Sequence, residues 1–449
     1  MCGIVGIYNH SDASTLAYFG LFALQHRGQE GVGITTYNDS KFYTEKERGL
    51  VSEVFANKQR LQKLPGNVAI GHNRYSTHGE KATINIQPLV FNYKGNKIAI
   101  VHNGNLINLD PIRKQLEEKG TIFQTTSDTE YIIHLIAHSQ ETTIEDKILD
   151  ALRSVDGAYS LVIMFNDKMI IARDKYGFRP LCMGRLDGAA IFASETCALD
   201  LIGAKYERDV NPGEMIVLDG KAQKVFKIDD PHPRHCIFEY VYFSRPDSRI
   251  FGEYVDKTRR KIGKTLAINK PVEDADIVIS VPDSSNTIAL GYSQRSNARF
   301  EIGLIRNHYI GRTFIHPDQK MRDFGVKIKF NTIGGVLNQK KVVIVDDSIV
   351  RGTTLKKLIR LIREAEPSEL HVRIGSPPVK YPCFYGMDFP SKEELIANQK
   401  EVAQIKEYLE VDSLEYITVK GLLDSTSLPA DHFCTACFTG KYLDSEENY

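Results

Sequence analysis

The pattern of apolar positions gives the chain two textures. Residues 1 to about 230 set short apolar runs between turn residues: Gly3–Tyr8, Val32–Tyr37, Val68–His72, Ile98–Val101, Ser160–Phe165 and Met169–Ala172, with turns such as Pro65-Gly66-Asn67 and Asn211-Pro212-Gly213 among them. That spacing predicts antiparallel sheets that can stack as two layers. Leu16–Leu24 and Asp128–His138 carry apolar residues three and four apart, which predicts helices, the second capped by Ser127 or Asp128. From about residue 270 isolated apolar runs, Ile277–Val281, Val342–Val345 and Leu370–Ile374, alternate with helical periodicity. This is the pattern of an α/β domain built on a parallel sheet. Pro231-His232-Pro233 marks the join, so domains at 1–230 and 231–449 are expected, the latter ending in a helical segment. The alternating aromatic residues of Ile237–Phe243 predict a core strand.

Composition narrows the class. A chain of 449 residues is too long for one core, in agreement with two domains. Lys plus Arg and Asp plus Glu both total 57, so no global positive field recommends a nucleic acid or an anionic membrane as partner. No apolar tract reaches membrane-spanning length, and Met1-Cys2-Gly3 does not open a signal peptide; a cytoplasmic location is expected. Seven cysteines, an odd number, argue against a disulfide framework and for metal, catalytic or buried roles.

The most informative stretch is Lys341–Thr354, KVVIVDDSIVRGTT. A buried strand ends in Asp346 and Asp347, followed by Arg351-Gly352-Thr353-Thr354 and then by Leu355, Leu358, Ile359 and Ile362 at helical spacing. A loop between a strand end and a helix N-terminus can cradle a phosphate with backbone N–H groups, while two adjacent acids take ribose hydroxyls or Mg²⁺. The run resembles the signature of type I phosphoribosyltransferases, which use phosphoribosyl pyrophosphate (PRPP). Val281-Pro282-Asp283-Ser284-Ser285-Asn286-Thr287 follows another buried strand and resembles the pyrophosphate loop of that family. The basic stretch 306–331 suggests a lid carrying Arg312, Arg322 and Lys327 onto a polyanion.

Cys2 has a different logic. Removal of Met1 leaves it with both a thiol and a free α-amine, nucleophile and base in one residue. Its company includes Gln25-His26-Arg27-Gly28-Gln29-Glu30, Gly71-His72-Asn73-Arg74-Tyr75-Ser76-Thr77, His102-Asn103-Gly104 and Ser127-Asp128-Thr129-Glu130. Together these resemble the N-terminal-nucleophile (Ntn) glutamine amidotransferases, whose domain is a four-layer αββα sandwich. The resemblance implies Arg74 on the glutamine α-carboxylate, Asp128 on its α-ammonium, and the Asn103 side chain with the Gly104 N–H as oxyanion hole. Arg27, Thr77 and His78 would support them. Asn-Gly is also a type I′ hairpin signal.

Cys236, Cys383, Cys434 and Cys437 lie outside the first half, and Cys434-x₂-Cys437 has metal-type spacing. Four thiolates suit Zn²⁺ or an iron–sulfur cluster. Cys182 and Cys197 read as buried structural thiols. The whole chain resembles the glutamine phosphoribosylpyrophosphate amidotransferases of purine biosynthesis, and the residues around Cys383 and Cys434 their [4Fe-4S] class. The resemblance implies that glutamine, PRPP and water give 5-phosphoribosylamine, glutamate and pyrophosphate, with ammonia passing internally. It also implies Mg²⁺ near Ser284, Asp346 and Asp347, feedback by purine nucleotides, and a homotetramer. Relatives often carry a propeptide before the cysteine and an arginine where Gly334 stands. A PRPP-sensing, non-catalytic regulator and a sugar-phosphate amidotransferase are the alternatives. The first has no use for Cys2, Arg74, Asn103 and Asp128, and the second none for the PRPP loop.

Overall fold

The computed structural model of the protein describes residues 1–75, 82–307, 327–389 and 391–443. Two compact units emerge: Met1–Cys236 with Ser248–Gly252 and Cys383–Asp388, and the remainder, Ile237–Asp247, Glu253–Pro382 and Phe389–Tyr449. The first unit therefore keeps residues 231–236 and recruits two short segments from later in the chain.

The first unit is built on two antiparallel sheets. Gly3–Tyr8 lies inside a seven-stranded sheet, flanked by Ala189–Ala193 and Val68–Arg74. A six-stranded sheet runs through Asn96–Ile107, Asp156–Phe165 and Lys168–Arg173. Alternation along Gly3–Tyr8 explains the layering, because successive side chains point to opposite faces. Ile4 and Tyr8 join Val101, Val162, Ile171 and Phe192 in a core fed by strands of both sheets. Val5 and Ile7 instead pack with Ala17 and Leu21 of the helix Ala13–Ala23. The outer face of the second sheet buries Ile132 and Ile136 of the helix Thr129–His138, with Ile148 and Leu152 of Ile144–Arg153. The order of layers is helix, sheet, sheet, helix, as the resemblance implied.

The second unit centres on a parallel sheet ordered Arg299–Phe300, Ile277–Ser280, Lys341–Asp346, Glu369–Ile374, Ser413–Tyr416. The strand Val342–Val345 is fully buried, which is why it shows no polar alternation. Thr353–Arg363 buries Leu355, Leu358, Ile359 and Ile362 in the same core. The C-terminal part adds the helices Val402–Leu409 and Val419–Leu423 and the single turn Ala436–Thr439.

Ile237–Phe243 departs from its expected form. Glu239–Phe243 is a turn of π-helix, not a core strand. Ile237, Phe238, Tyr240 and Val241 are buried while Tyr242 is exposed, so burial follows a helical spacing that alternating aromatics had disguised as period two. Arg259, itself fully buried, fixes the turn by donating from Nε to the Tyr240 carbonyl at 2.7 Å and from Nη2 to the Ser244 carbonyl at 2.7 Å.

Candidate functional sites

Cys2 enters the first sheet at the start of its central strand. Its backbone N–H donates to Asn103 Oδ1 at 3.1 Å, and its Sγ lies 3.5 Å from both the N and the O of Tyr75. Beneath it, Arg27 donates from Nε to the Cys2 carbonyl at 3.0 Å and from Nη1 to Glu195 Oε1 at 2.5 Å, in a fully buried ion pair. His26 and Ser248 also hold Glu195, at 2.7 Å each. Burial alone would raise the Glu195 carboxyl, but His26 and Arg27 hold it well below the usual carboxylate range. The Met1 α-amine is pushed down to about 5, first by burial and then by Arg179 and Arg27, against the pull of Cys2 and Asp388. An amine at the Met1 position is therefore largely unprotonated at neutral pH.

Asn103 and Gly104 do not form a hairpin turn. They sit inside the twelve-residue strand Asn96–Ile107, opposite Ser160 and Tyr159. Gly104 is needed there for space: a Cβ would fall 1.9 Å from the Ala158 carbonyl oxygen. Once Asn103 Oδ1 has accepted the Cys2 N–H, Asn103 Nδ2 is left buried with no hydrogen-bond partner among the described residues. A buried amide donor without a partner costs stability and points to a ligand.

Arg74 and Asp128 are both almost fully buried. Arg74 Nη1 donates to the Asn85 carbonyl at 2.7 Å, and Asn85 in turn holds Thr126 through Nδ2 to Oγ1 at 2.7 Å and through Oδ1 from the Thr126 N–H at 3.1 Å. That bridge ties Arg74 to the turn leading into Asp128. Glu130 fixes the same turn, accepting from the N–H groups of Gln124 and Thr125 at 2.7 Å each. Asp128 occupies the N-cap position of its helix without capping it, because Oδ2 accepts the Leu106 N–H at 2.9 Å. A cavity of about 230 Å³ is lined by Glu30, Arg48, Arg74, Ala82 and Ile86. Thr77 and His78 lie outside the described residues.

In the second unit, register aligns Ser280 with Val345, so the loops that follow them leave adjacent strands at one edge of the sheet. Ser284 Oγ donates to Asp347 Oδ2 at 2.5 Å, Ser348 Oγ to Asp347 Oδ1 at 2.6 Å, and the Asp347 N–H to Asp346 Oδ1 at 2.9 Å. Burial raises both carboxyls above their ordinary range. For Asp346 the neighbouring Asp347 adds to it, and for Asp347 the two serines oppose it. Gly352, at φ +73°, turns the chain into the helix Thr353–Arg363, whose first two residues are exposed. The left-handed φ makes glycine the fitting residue.

Three predicted PRPP contacts are placed on protein partners. Asp283 pairs with Arg306 at 2.8 Å and Arg351 with Glu394 at 3.2 Å. Lys327 pairs with Glu364 at 2.7 Å, at the far end of the helix from Thr353, so the structure does not bring it to the phosphate loop. Arg312 and Arg322 lie outside the described residues. Gly334 opens a short helical turn, with open space where a side chain would stand.

No described cysteine is in a disulfide. Cys182 and Cys197 are buried in the first core, as expected. Cys236 is buried, Cys383, Cys434 and Cys437 are half-buried, and Cys383 Sγ accepts the Tyr385 N–H at 3.4 Å. Among the described residues no group of three or more His, Cys, Asp or Glu side chains is gathered as a metal site.

Comparison with known proteins gives these features a context. A glutamine amidotransferase domain family matches residues 72–201. The chain is 50% identical to a chloroplastic amidophosphoribosyltransferase of Vigna aconitifolia, over 100% of this chain and 92% of that one. It is 46% identical to the amidophosphoribosyltransferase of Bacillus subtilis, over 98% and 94%. The solved structure of the B. subtilis glutamine PRPP amidotransferase complexed with ADP and GMP is similar at a TM-score of 0.93 and 45% identity, covering 98% of this chain and 97% of that one.

Proposed function

The chain belongs to the amidophosphoribosyltransferases, the glutamine-dependent PRPP transferases of purine biosynthesis, and from that premise we propose how its residues divide the reaction. Cys2, freed of Met1, attacks the side-chain amide carbon of glutamine, and its own α-amine takes the thiol proton. Asn103 Nδ2 and the Gly104 N–H receive the developing oxyanion, and ammonia leaves; water then releases glutamate from the thioester. Each well-placed donor is worth about 3–4 kcal/mol in the transition state. Arg74 holds the α-carboxylate as a planar bidentate donor, and Asp128 the α-ammonium. The observation that carries this reading is the buried, unpartnered Asn103 Nδ2 on the residue that also holds the nucleophile.

At the second site ammonia displaces pyrophosphate from C1 of PRPP. The loop 346–354 takes the 5-phosphate on the Gly352–Thr354 amides and hydroxyls, and the loop at Asp283 and Ser284 takes the pyrophosphate. Asp346, Asp347 and Ser284 are the donors for Mg²⁺. Their fit is supported by two adjacent buried carboxyls that resist ionisation until a cation compensates them. A bound divalent cation supplies charge relief on the leaving pyrophosphate. Arg351 and Lys327 can serve only after leaving Glu394 and Glu364, and Asp283 after leaving Arg306.

The [4Fe-4S] cluster on Cys236, Cys383, Cys434 and Cys437, feedback by purine nucleotides, a homotetramer and a cytoplasmic location complete the proposal. Four thiols outside any disulfide, one of which accepts a backbone N–H, support the first, and the ADP and GMP in the B. subtilis structure support the second. Two assays test the whole. Phosphoribosylamine should form from PRPP with either glutamine or ammonia, and a protein that ignores PRPP would refute the function. Anaerobically purified protein should carry iron and sulfide, whereas zinc alone would refute the cluster.

A further inference from the structure

The first unit contains a segment that its own half of the sequence does not supply. Cys383–Asp388 packs among residues of the glutamine site, with Tyr385 and Met387 buried. Asn105, two residues beyond Asn103 in the same strand, donates from Nδ2 to the Phe384 carbonyl at 2.9 Å. Arg179, fully buried, donates from Nε to the Tyr385 carbonyl at 3.1 Å and from Nη2 to the same oxygen. Its remaining nitrogen, Nη1, touches Met1 Sδ at 2.5 Å, so one guanidinium spans the segment and the residue joined to Cys2. The Tyr385 ring stacks on Phe178 with centroids 4.3 Å apart. Gly386, at φ +96°, lies so close to the oxyanion strand that a Cβ there would stand 3.0 Å from the carbonyl carbon of Gly104.

Resting on the glutaminase reading above, we propose that Cys383–Asp388 is a strap that sets the rate of glutamine hydrolysis without touching glutamine, with Asn105 and Arg179 as the positioning residues that clasp it against Gly104. An oxyanion donor works only where the charge develops, and a misplacement of about 1 Å can lower a rate about a hundredfold. Gly104 has no side chain of its own to lock it, so packing against Gly386 on one side and Ala158 on the other fixes its position. The strap's hydrogen bonds run to Asn105 and Arg179 and its close approach is to Gly104, on the oxyanion side of the site, whereas Arg74, proposed for the α-carboxylate, is tied to Asn85, and Asp128, proposed for the α-ammonium, to Leu106. Loosening the strap therefore changes turnover and leaves binding alone.

The full-length protein with Asn105→Ala and, separately, with Gly386→Ala tests this, with kcat and KM measured for glutamine and the synthesis rate measured with ammonia. Expected is a fall in glutamine-dependent kcat of about tenfold or more, with KM for glutamine and the ammonia-dependent rate unchanged. A wild-type kcat in Asn105→Ala, or an equal loss with both nitrogen sources, overturns the proposal. Asn105→Ala leaves the backbone untouched and decides the matter if Gly386→Ala does not fold. Cys2→Ala is run alongside. Glutamine turnover by that variant would bring down the glutaminase reading itself, whereas its loss together with normal Asn105→Ala turnover sinks the strap alone.

Discussion

Cys2 and Asn103, 101 residues apart in sequence, are joined by a hydrogen bond from the Cys2 N–H to Asn103 Oδ1 at 3.1 Å. The amide is oriented by that bond. With its oxygen engaged, Asn103 must turn its NH₂ away from the Cys2 backbone, and that NH₂ is buried without a partner among the described residues. In the proposed roles, the nucleophile thus aims its own oxyanion donor.

Asn103→Ala should lower kcat for glutamine hydrolysis by about 10²–10³, the usual effect of removing one oxyanion donor. Asn103→Asp should fare no better, because a carboxylate in that place repels the oxyanion. Steady-state glutaminase assays check both, and a loss confined to KM would place Asn103 in binding instead.

Asp346 and Asp347 titrate above the ordinary carboxylate range, so the unfolded chain gives up their protons first as pH rises. Without a cation, stability should therefore decline from the ordinary carboxylate range toward the raised values, and Asp346→Asn should raise the melting temperature at neutral pH. Mg²⁺ with PRPP should stabilise the wild type more at pH 8 than at pH 5, since protons compete for the same oxygens. The double change to asparagine should abolish synthesis from both glutamine and ammonia. Thermal melts across pH and the two synthesis assays give the answer, and unchanged ammonia-dependent synthesis would move the PRPP site elsewhere.

Regular elements were the most legible part of the chain. Gly3–Tyr8 and the strand before Asp346 declare themselves through uninterrupted apolar runs, because both faces are covered. Lys41–Arg48 does not: it is an edge strand rich in charged residues, held by pairing with Gly31–Asn38 and by only two core-facing aromatics, Phe42 and Tyr43. Cys2, Arg74, Asn103 and Asp128 are singled out by motif, with Arg27 among their expected supports, but the other side chains that hold them are not. Asn85, Thr126, Asn105 and Arg179 act through hydrogen bonds between distant segments, and no spacing within one segment encodes such a bond. The placement of Asn103-Gly104 inside a strand was equally invisible, since the neighbour that excludes a Cβ from Gly104 is Ala158, in a partner strand.

Glu195→Gln should cost about 3 kcal/mol or more, because it leaves the buried Arg27 without its counter-charge. The sign with pH follows from the depressed carboxyl. Its contribution is present above an unfolded pKa of about 4.3 and is lost as pH falls below it. Urea unfolding at pH 7 and below pH 4 should show the gap between wild type and variant narrowing in acid. An equal gap at both would mean that Glu195 acts through packing and not charge.

The central claim is that one chain supplies nitrogen at Cys2 and accepts it at the Asp346-Asp347 loop. Phosphoribosylamine formation by Cys2→Ala, and by protein that keeps an uncleavable extension on Cys2, measured with glutamine and with ammonia, tests it most directly. Both should lose glutamine-dependent synthesis and keep ammonia-dependent synthesis, since each removes the free nucleophile or its amine and spares the acceptor. Full glutamine-dependent turnover by the extended protein would contradict the account, because the α-amine of Cys2 would then have no part in the chemistry.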